Sequence, residues 1–196
     1  MEIISLTPNN FQIAVETANR IIQKGGVIVA PTDTVYGLLA NAANENAVKK
    51  IYTIKDRPQG KPLPIFVKNM AMAKKLSKIS AGQQEFLETK WPGKFTAILF
   101  RKSGAEIFGA DNKTIALRIP FHAFANSLLE TANQPLAATS ANLSGLPATT
   151  KIDEVLNQLA RAAIMPDLVI NAGDLDESSP STIIDLTQIP PQTIRP

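Results

Sequence analysis

A helix that must stop is followed at once by a buried strand that must stop, between Asn10 and Pro31. That succession restricts the chain to folds in which helices lie against a sheet. Asn10 suits a helix N-cap, Ile13, Ala14, Ala18, Ile21 and Ile22 recur on one face, and Gly25-Gly26 allow the left-handed exit. A helix is predicted from Phe11 to Lys24. Val27 to Ala30 is uniformly apolar and too short for a helix, so it reads as a strand buried on both faces. Pro31, without an N–H, ends it.

The alternation continues. Helices are predicted from a cap at Asn44 to Ile54, over Ala71–Ser77, Ala81–Lys90 and Phe121–Ala132, and from Ile152 to Ala163. Strands are predicted at Leu63–Val67, Phe95–Phe100, Thr114–Ile119, Leu136–Ala138, Leu168–Ile170 and Thr182–Leu186. Pro64 removes a ladder donor, which points to an edge strand there. The Asp-, Gly- and Ser-rich joint from Asn171 to Pro180 reads as a mobile loop. Mixed elements with short connections give an α/β (α+β) fold, a single twisted sheet flanked by helices. No repeat or long linker divides residues 1–196, so one domain is expected.

Composition excludes several classes of protein. With 44% hydrophobic and 19% charged residues the chain is globular rather than disordered. No apolar run is long enough to cross a bilayer and no secretory signal is evident at the N-terminus, so a cytoplasmic location is expected. The absence of cysteine excludes disulfides, thiolate metal sites and cysteine nucleophiles. His122 is the single histidine, and after Pro120 it reads as a capping or surface residue rather than a base. No set of side chains announces a metal site. A net charge of +3 is too mild for a dedicated nucleic-acid binder.

Polar clusters remain at the ends of the predicted strands, where open sheets bind ligands. Lys55, Arg57 and Lys61 fall in a turn stiffened by Pro58 and Pro62. A helix dipole explains a cation at Lys55 but not the other two, which suit a phosphate. Thr139-Ser140-Ala141-Asn142-Leu143-Ser144-Gly145 offers small hydrogen-bonding groups after a strand. Pro31 to Gly37 presents Thr32, Asp33, Thr34 and Tyr36, either as a self-bonded turn or as a site. Arg118, inside an apolar strand, either pairs with an acid or reaches a ligand carboxylate.

Taken in order, Gly25–Leu38, Lys55-Asp56-Arg57-Pro58, Lys61-Pro62-Leu63, Trp91-Pro92-Gly93, Leu117-Arg118-Ile119-Pro120 and Thr139–Gly145 resemble the YrdC-like family of L-threonylcarbamoyladenylate synthases. The resemblance runs from Ile4 to Arg195. It implies a twisted α/β sheet with a deep, concave, positively charged cleft. It also implies an enzyme, a nucleotidyltransferase that makes threonylcarbamoyl-AMP and pyrophosphate from L-threonine, bicarbonate and ATP with Mg2+. The product would feed threonylcarbamoyladenosine modification of tRNA beside the anticodon, through downstream transfer proteins and with weak tRNA contact. Every reactant is anionic, so cations and positioning suffice without a protein nucleophile.

The same resemblance distributes roles. Lys55, Arg57, Ser140 and Asn142 would be catalytic, and Arg57, Lys61, Asn142, Thr150 and Arg195 would bind ATP. Thr34, Arg118, Ser140 and Ser181 would bind threonine, with Thr32, Tyr36 and Thr182 as further candidates. Lys61 stands where relatives often have asparagine. Phe66 stands where many have a histidine that helps bind threonine, and phenylalanine offers no such hydrogen bond. The alternative reading is a YrdC-like RNA-binding module without synthase activity, which would lose affinity in a salt-dependent way when Lys55 is removed.

Overall fold

In the computed structural model, which describes residues 1–196, the short apolar runs become strands of one sheet and the amphipathic runs become helices against it. The strands are β1 (Glu2–Ser5), β2 (Ile28–Ala30), β3 (Gly37–Asn41), β4 (Ile65–Phe66), β5 (Ser77–Lys78), β6 (Phe95–Arg101), β7 (Thr114–Arg118), β8 (Leu136–Ser140), β9 (Leu168–Asn171), β10 (Thr182–Asp185) and β11 (Gln192–Arg195). The helices are α1 (Phe11–Gln23), α2 (Glu45–Lys55), α3 (Met70–Leu76), α4 (Ala81–Glu88), α5 (Ala123–Ala132) and α6 (Ile152–Leu159). The sheet order is β1-β9-β2-β3-β8-β4-β7-β6-β10-β11, with β5 paired to β6. It mixes parallel pairs such as β4 with β7 and antiparallel pairs such as β3 with β8.

The pleat divides the core into two. Val27, Val29, Leu38, Ala40, Ala137 and Val169 face one way, into a cluster of 32 buried residues shared with α2 and α6. Their neighbours Ile28, Ala30, Leu39, Leu136, Ala138, Leu168 and Ile170 face the other way, under α1 and α5, in a cluster of 15. Each fully buried Leu, Ile or Phe in these clusters contributes about 1.5–3 kcal/mol. On the α1/α5 side, the same row continues across the sheet through Phe66, Arg118, Thr96 and Ile183. There the residues line a cavity, with Phe66 at the border also joining the smaller cluster.

The structure departs from the sequence expectations in identifiable places. β1, β3, β5 and β11 were not expected. Gly37 to Asn41 follows the polar turn so closely that its apolar middle is easily read as loop. Proline at 62 and 64 trims the strand expected over Leu63–Val67 to Ile65–Phe66. That strand is not at an edge: β4 lies between β7 and β8, and Pro64 accommodates the position by accepting from the Ala138 N–H through its carbonyl. Asn10 does not cap α1; its side chain instead bonds the Thr7 N–H and the Ser5 carbonyl around a 3-10 turn at Pro8–Asn10. α5 begins at Ala123, with His122 at the N-cap position making no side-chain cap.

Asn44 does cap α2, its Oδ1 accepting from the Ala47 N–H at 3.0 Å. Replacing it with alanine is expected to lower stability by about 1 kcal/mol. For a chain of this size that is a fall of roughly 2–4 °C in melting temperature. An unchanged melting temperature would contradict the assignment.

Candidate active site

α2 ends at Lys55 because Asp56 adopts a left-handed conformation, φ 49°. The chain turns there, so Lys55 and Arg57 both reach the same cavity. The Lys55 side chain is 3% exposed. Its Nζ donates to the Ser140 carbonyl at 2.7 Å, the Asn142 carbonyl at 2.8 Å and Asn142 Oδ1 at 2.8 Å. An ammonium has three hydrogens, and these three near acceptors match them, with Ser140 Oγ farther off at 3.4 Å. The lysine therefore buttons the end of β8 to the end of α2. Ser140 Oγ donates to Asn142 Oδ1, and Asn142 Nδ2 donates to the carbonyls of Leu143 and Leu146, which shapes the loop after β8.

Burial, then the neighbouring Arg57 charge, lowers the Lys55 pKa from 10.5 to about 8. Between about pH 8 and 10.5 the unfolded chain holds a proton that the folded chain has released. This group therefore adds stability as pH rises through that window. The stability difference between wild type and Lys55→Met, read by urea unfolding, should grow in favour of wild type by up to roughly 1 kcal/mol per pH unit there. A difference that stays constant would refute the burial argument.

Across the cavity, Arg118 and Asp33 form a buried pair, Nη2 to Oδ1 at 2.6 Å, with side chains 5% and 6% exposed. Arg118 Nε donates to the Gly93 carbonyl at 3.0 Å, and the guanidinium lies 5.5 Å from the centre of the Phe66 ring. Of the two outcomes open at the sequence level, pairing with an acid is present, and Arg118 lines the cavity as well. Ser181 Oγ is 3.0 Å from Thr96 Oγ1, and Arg195 Nε and Nη2 both donate to the Ser181 carbonyl. Thr32 and Thr34 bond within their own turn: the Thr34 N–H donates to Thr32 Oγ1 at 3.1 Å, which donates on to the Val35 carbonyl at 2.7 Å.

The cavity encloses about 480 Å3. Eleven of the thirteen side chains named from the sequence line it: Thr32, Thr34, Tyr36, Lys55, Arg57, Lys61, Arg118, Ser140, Asn142, Ser181 and Arg195. Thr150 and Thr182 do not. The Thr150 carbonyl instead accepts from the Leu175 N–H, and Thr182 opens β10. Lys61 is exposed. Tyr36 is fully buried, and its hydroxyl donates to the Gly173 carbonyl and accepts from the Ala172 N–H. In the first half of the 171–180 joint, the Leu175 N–H bonds the Thr150 carbonyl and the Asp174 carboxylate accepts from the Ile152 N–H.

Five cations and no carboxylate line this space. Sequence reasoning passed over the pairing role of Asp33, although a lone arginine in an apolar strand signals that an acid must be near.

A mixed α/β protein whose sheet is left open on half of one face, over a cationic cavity, is built to hold an anion. The chain belongs to the Sua5/YciO/YrdC family: the family profile, described as telomere recombination, matches residues 20–196. It is 35% identical over 184 residues to a threonylcarbamoyl-AMP synthase of Pyrococcus abyssi, covering 93% of this chain and 53% of that one. It is also 35% identical to the threonylcarbamoyl-AMP synthase of Bacillus subtilis, covering 97% and 55% respectively. The chain thus spans about half the length of these relatives. The structure of P. abyssi Sua5 complexed with L-threonine superposes with a TM-score of 0.81 at 34% identity, over 100% of this chain and 56% of that one. No helix is long and apolar enough to cross a membrane.

Proposed function

We propose that this chain is an enzyme that makes threonylcarbamoyl-AMP and pyrophosphate from L-threonine, bicarbonate and ATP, a nucleotidyl transfer. The observation that carries the reading is the set of five cations converging on one cavity free of carboxylates, in a member of this family. Two relatives named threonylcarbamoyl-AMP synthase and a neighbour solved with L-threonine support it. Threonine's amine adds to carbon dioxide with loss of a proton, or to bicarbonate with loss of water, and an oxygen of the resulting carbamate attacks the α-phosphate of ATP. Pyrophosphate leaves with the electron pair of the broken P–O bond.

Arg118, Thr34, Ser140 and Ser181 would hold threonine. Arg57, Asn142, Lys61 and Arg195 would meet bicarbonate and the phosphates. Lys55, whose three hydrogens are taken by the protein, would act through its charge and by fixing Ser140 and Asn142. Thr150 and Thr182, outside the lining, have no part in this reading. The cavity offers a metal no carboxylate, so magnesium would arrive coordinated by the triphosphate. A cytoplasmic location, delivery of the product to threonylcarbamoyl-transfer proteins and weak tRNA contact complete the reading.

The test incubates purified protein with ATP, bicarbonate and labelled threonine, beside an active relative. Threonine-dependent pyrophosphate and labelled threonylcarbamoyl-AMP are the expected products. Their absence while the relative works would overturn the proposal.

A further inference from the structure

We propose that Asp33 is a positioning residue that sets the pose in which Arg118 receives the carboxylate of the amino-acid substrate. The inference rests on the synthase reading above and assigns a residue outside the cavity wall. Asp33 does not line the cavity, whereas Arg118 does. Both oxygens of the Asp33 carboxylate are engaged: Oδ1 accepts from Arg118 Nη2 at 2.6 Å, and Oδ2 accepts from the Phe121 N–H at 3.0 Å. The second contact fixes the carboxylate itself, so it can serve as a reference point for the arginine.

The guanidinium is then held on three sides. Asp33 takes Nη2, the Gly93 carbonyl takes Nε at 3.0 Å, and the centre of the Phe66 ring lies 5.5 Å from the central carbon. Nη1 makes no hydrogen bond to the protein, and Nη2 retains a second hydrogen. Those two nitrogens form the end of the fork that grips a carboxylate through two parallel bonds. Without Asp33 the cation loses its buried counter-charge and a long, rotamer-rich side chain loses its aim. The loss should fall on threonine binding. The triphosphate is assigned to other cations, which Asp33 does not touch.

A structural staple makes a different prediction. If Asp33 only joins the turn after β2 to β7 and the entry of α5, its removal lowers stability and leaves substrate affinities in the folded fraction unchanged. The experiment compares wild type, Asp33→Asn and Asp33→Glu by steady-state kinetics in each substrate, calorimetric binding of L-threonine and thermal melting. Asp33→Asn should raise the threonine KM by roughly 10- to 100-fold, the scale of a misplaced binding group. The ATP KM, and kcat at saturating threonine, should stay within about threefold, an effect well below one such contact. Asp33→Glu keeps the charge but displaces it by one methylene. It should show a smaller rise of the same kind, and it carries the test if Asp33→Asn does not fold. Unchanged threonine KM and binding in a folded variant overturns the proposal, as does a parallel rise in both KM values. If wild-type protein itself neither binds threonine nor releases pyrophosphate, the synthase reading falls, and this one with it.

Discussion

Arg118→Ala is expected to destabilise the protein by about 3–5 kcal/mol, the usual consequence of removing one partner of a buried ion pair. The figure follows from what remains behind. Asp33, 6% exposed, keeps only the Phe121 N–H as a partner, while the Gly93 carbonyl and the Phe66 ring lose the group beside them. At about 2–4 °C per kcal/mol for a chain of this size, melting should fall by roughly 6–20 °C. Catalysis should fail as well, because the cation that lies beside Phe66 is Arg118. The double variant Asp33→Asn/Arg118→Ala should recover part of the lost stability, since no buried charge is then left alone. If it is less stable than Arg118→Ala alone, unpaired charge is not the cause.

Lys55→Ala should reduce the rate of product formation by more than about 100-fold, a loss typical of removing a fixed charge that stabilises a reaction centre. Two causes act together. The cavity loses one of its five cations, and the Ser140 and Asn142 carbonyls lose the lysine as donor, while Asn142 Oδ1 keeps the Ser140 hydroxyl. Each orphaned acceptor costs about 1–3 kcal/mol unless water reaches it. The loop after β8 should relax, so amide hydrogen exchange at Ala141 to Ser144 should quicken while α1 and α5 keep their protection. Lys55→Ala with wild-type turnover would remove Lys55 from the proposed machinery.

How much of this was legible beforehand differs from residue to residue. The helix that ends at Gly25-Gly26 and the strand stopped by Pro31 were readable because their signals are local: period, a glycine exit and a missing donor. β1 and β11 carry no such signal. Each is an edge strand of four residues whose extended state is imposed by its partner, β9 or β10. The cation pair Lys55 and Arg57 was readable as anion-binding chemistry. That Lys55 would spend its hydrogens on Ser140 and Asn142 was not, since nothing within a few residues encodes a contact across the sheet. Arg118 stands between these cases. Its place in an apolar strand announced a partner, and only the fold could choose Asp33. Pro64 misled because proline in a strand usually signals an edge, whereas here the neighbouring strand bonds to its carbonyl.

The contacts that shape the cavity join residues far apart along the chain. Lys55 meets Ser140 and Asn142 across 85 and 87 positions, Asp33 meets Arg118 across 85, Thr96 meets Ser181 across 85, and Tyr36 meets Gly173 across 137. No fragment of the sheet can therefore assemble it. A growing or partly unfolded chain carries the same lysines and arginines but has nowhere for them to converge, so it presents scattered charges rather than a receptor. Ligand affinity then becomes a report on completeness: whatever anion the cavity takes will bind the finished fold and ignore its precursors, and will favour that fold by mass action.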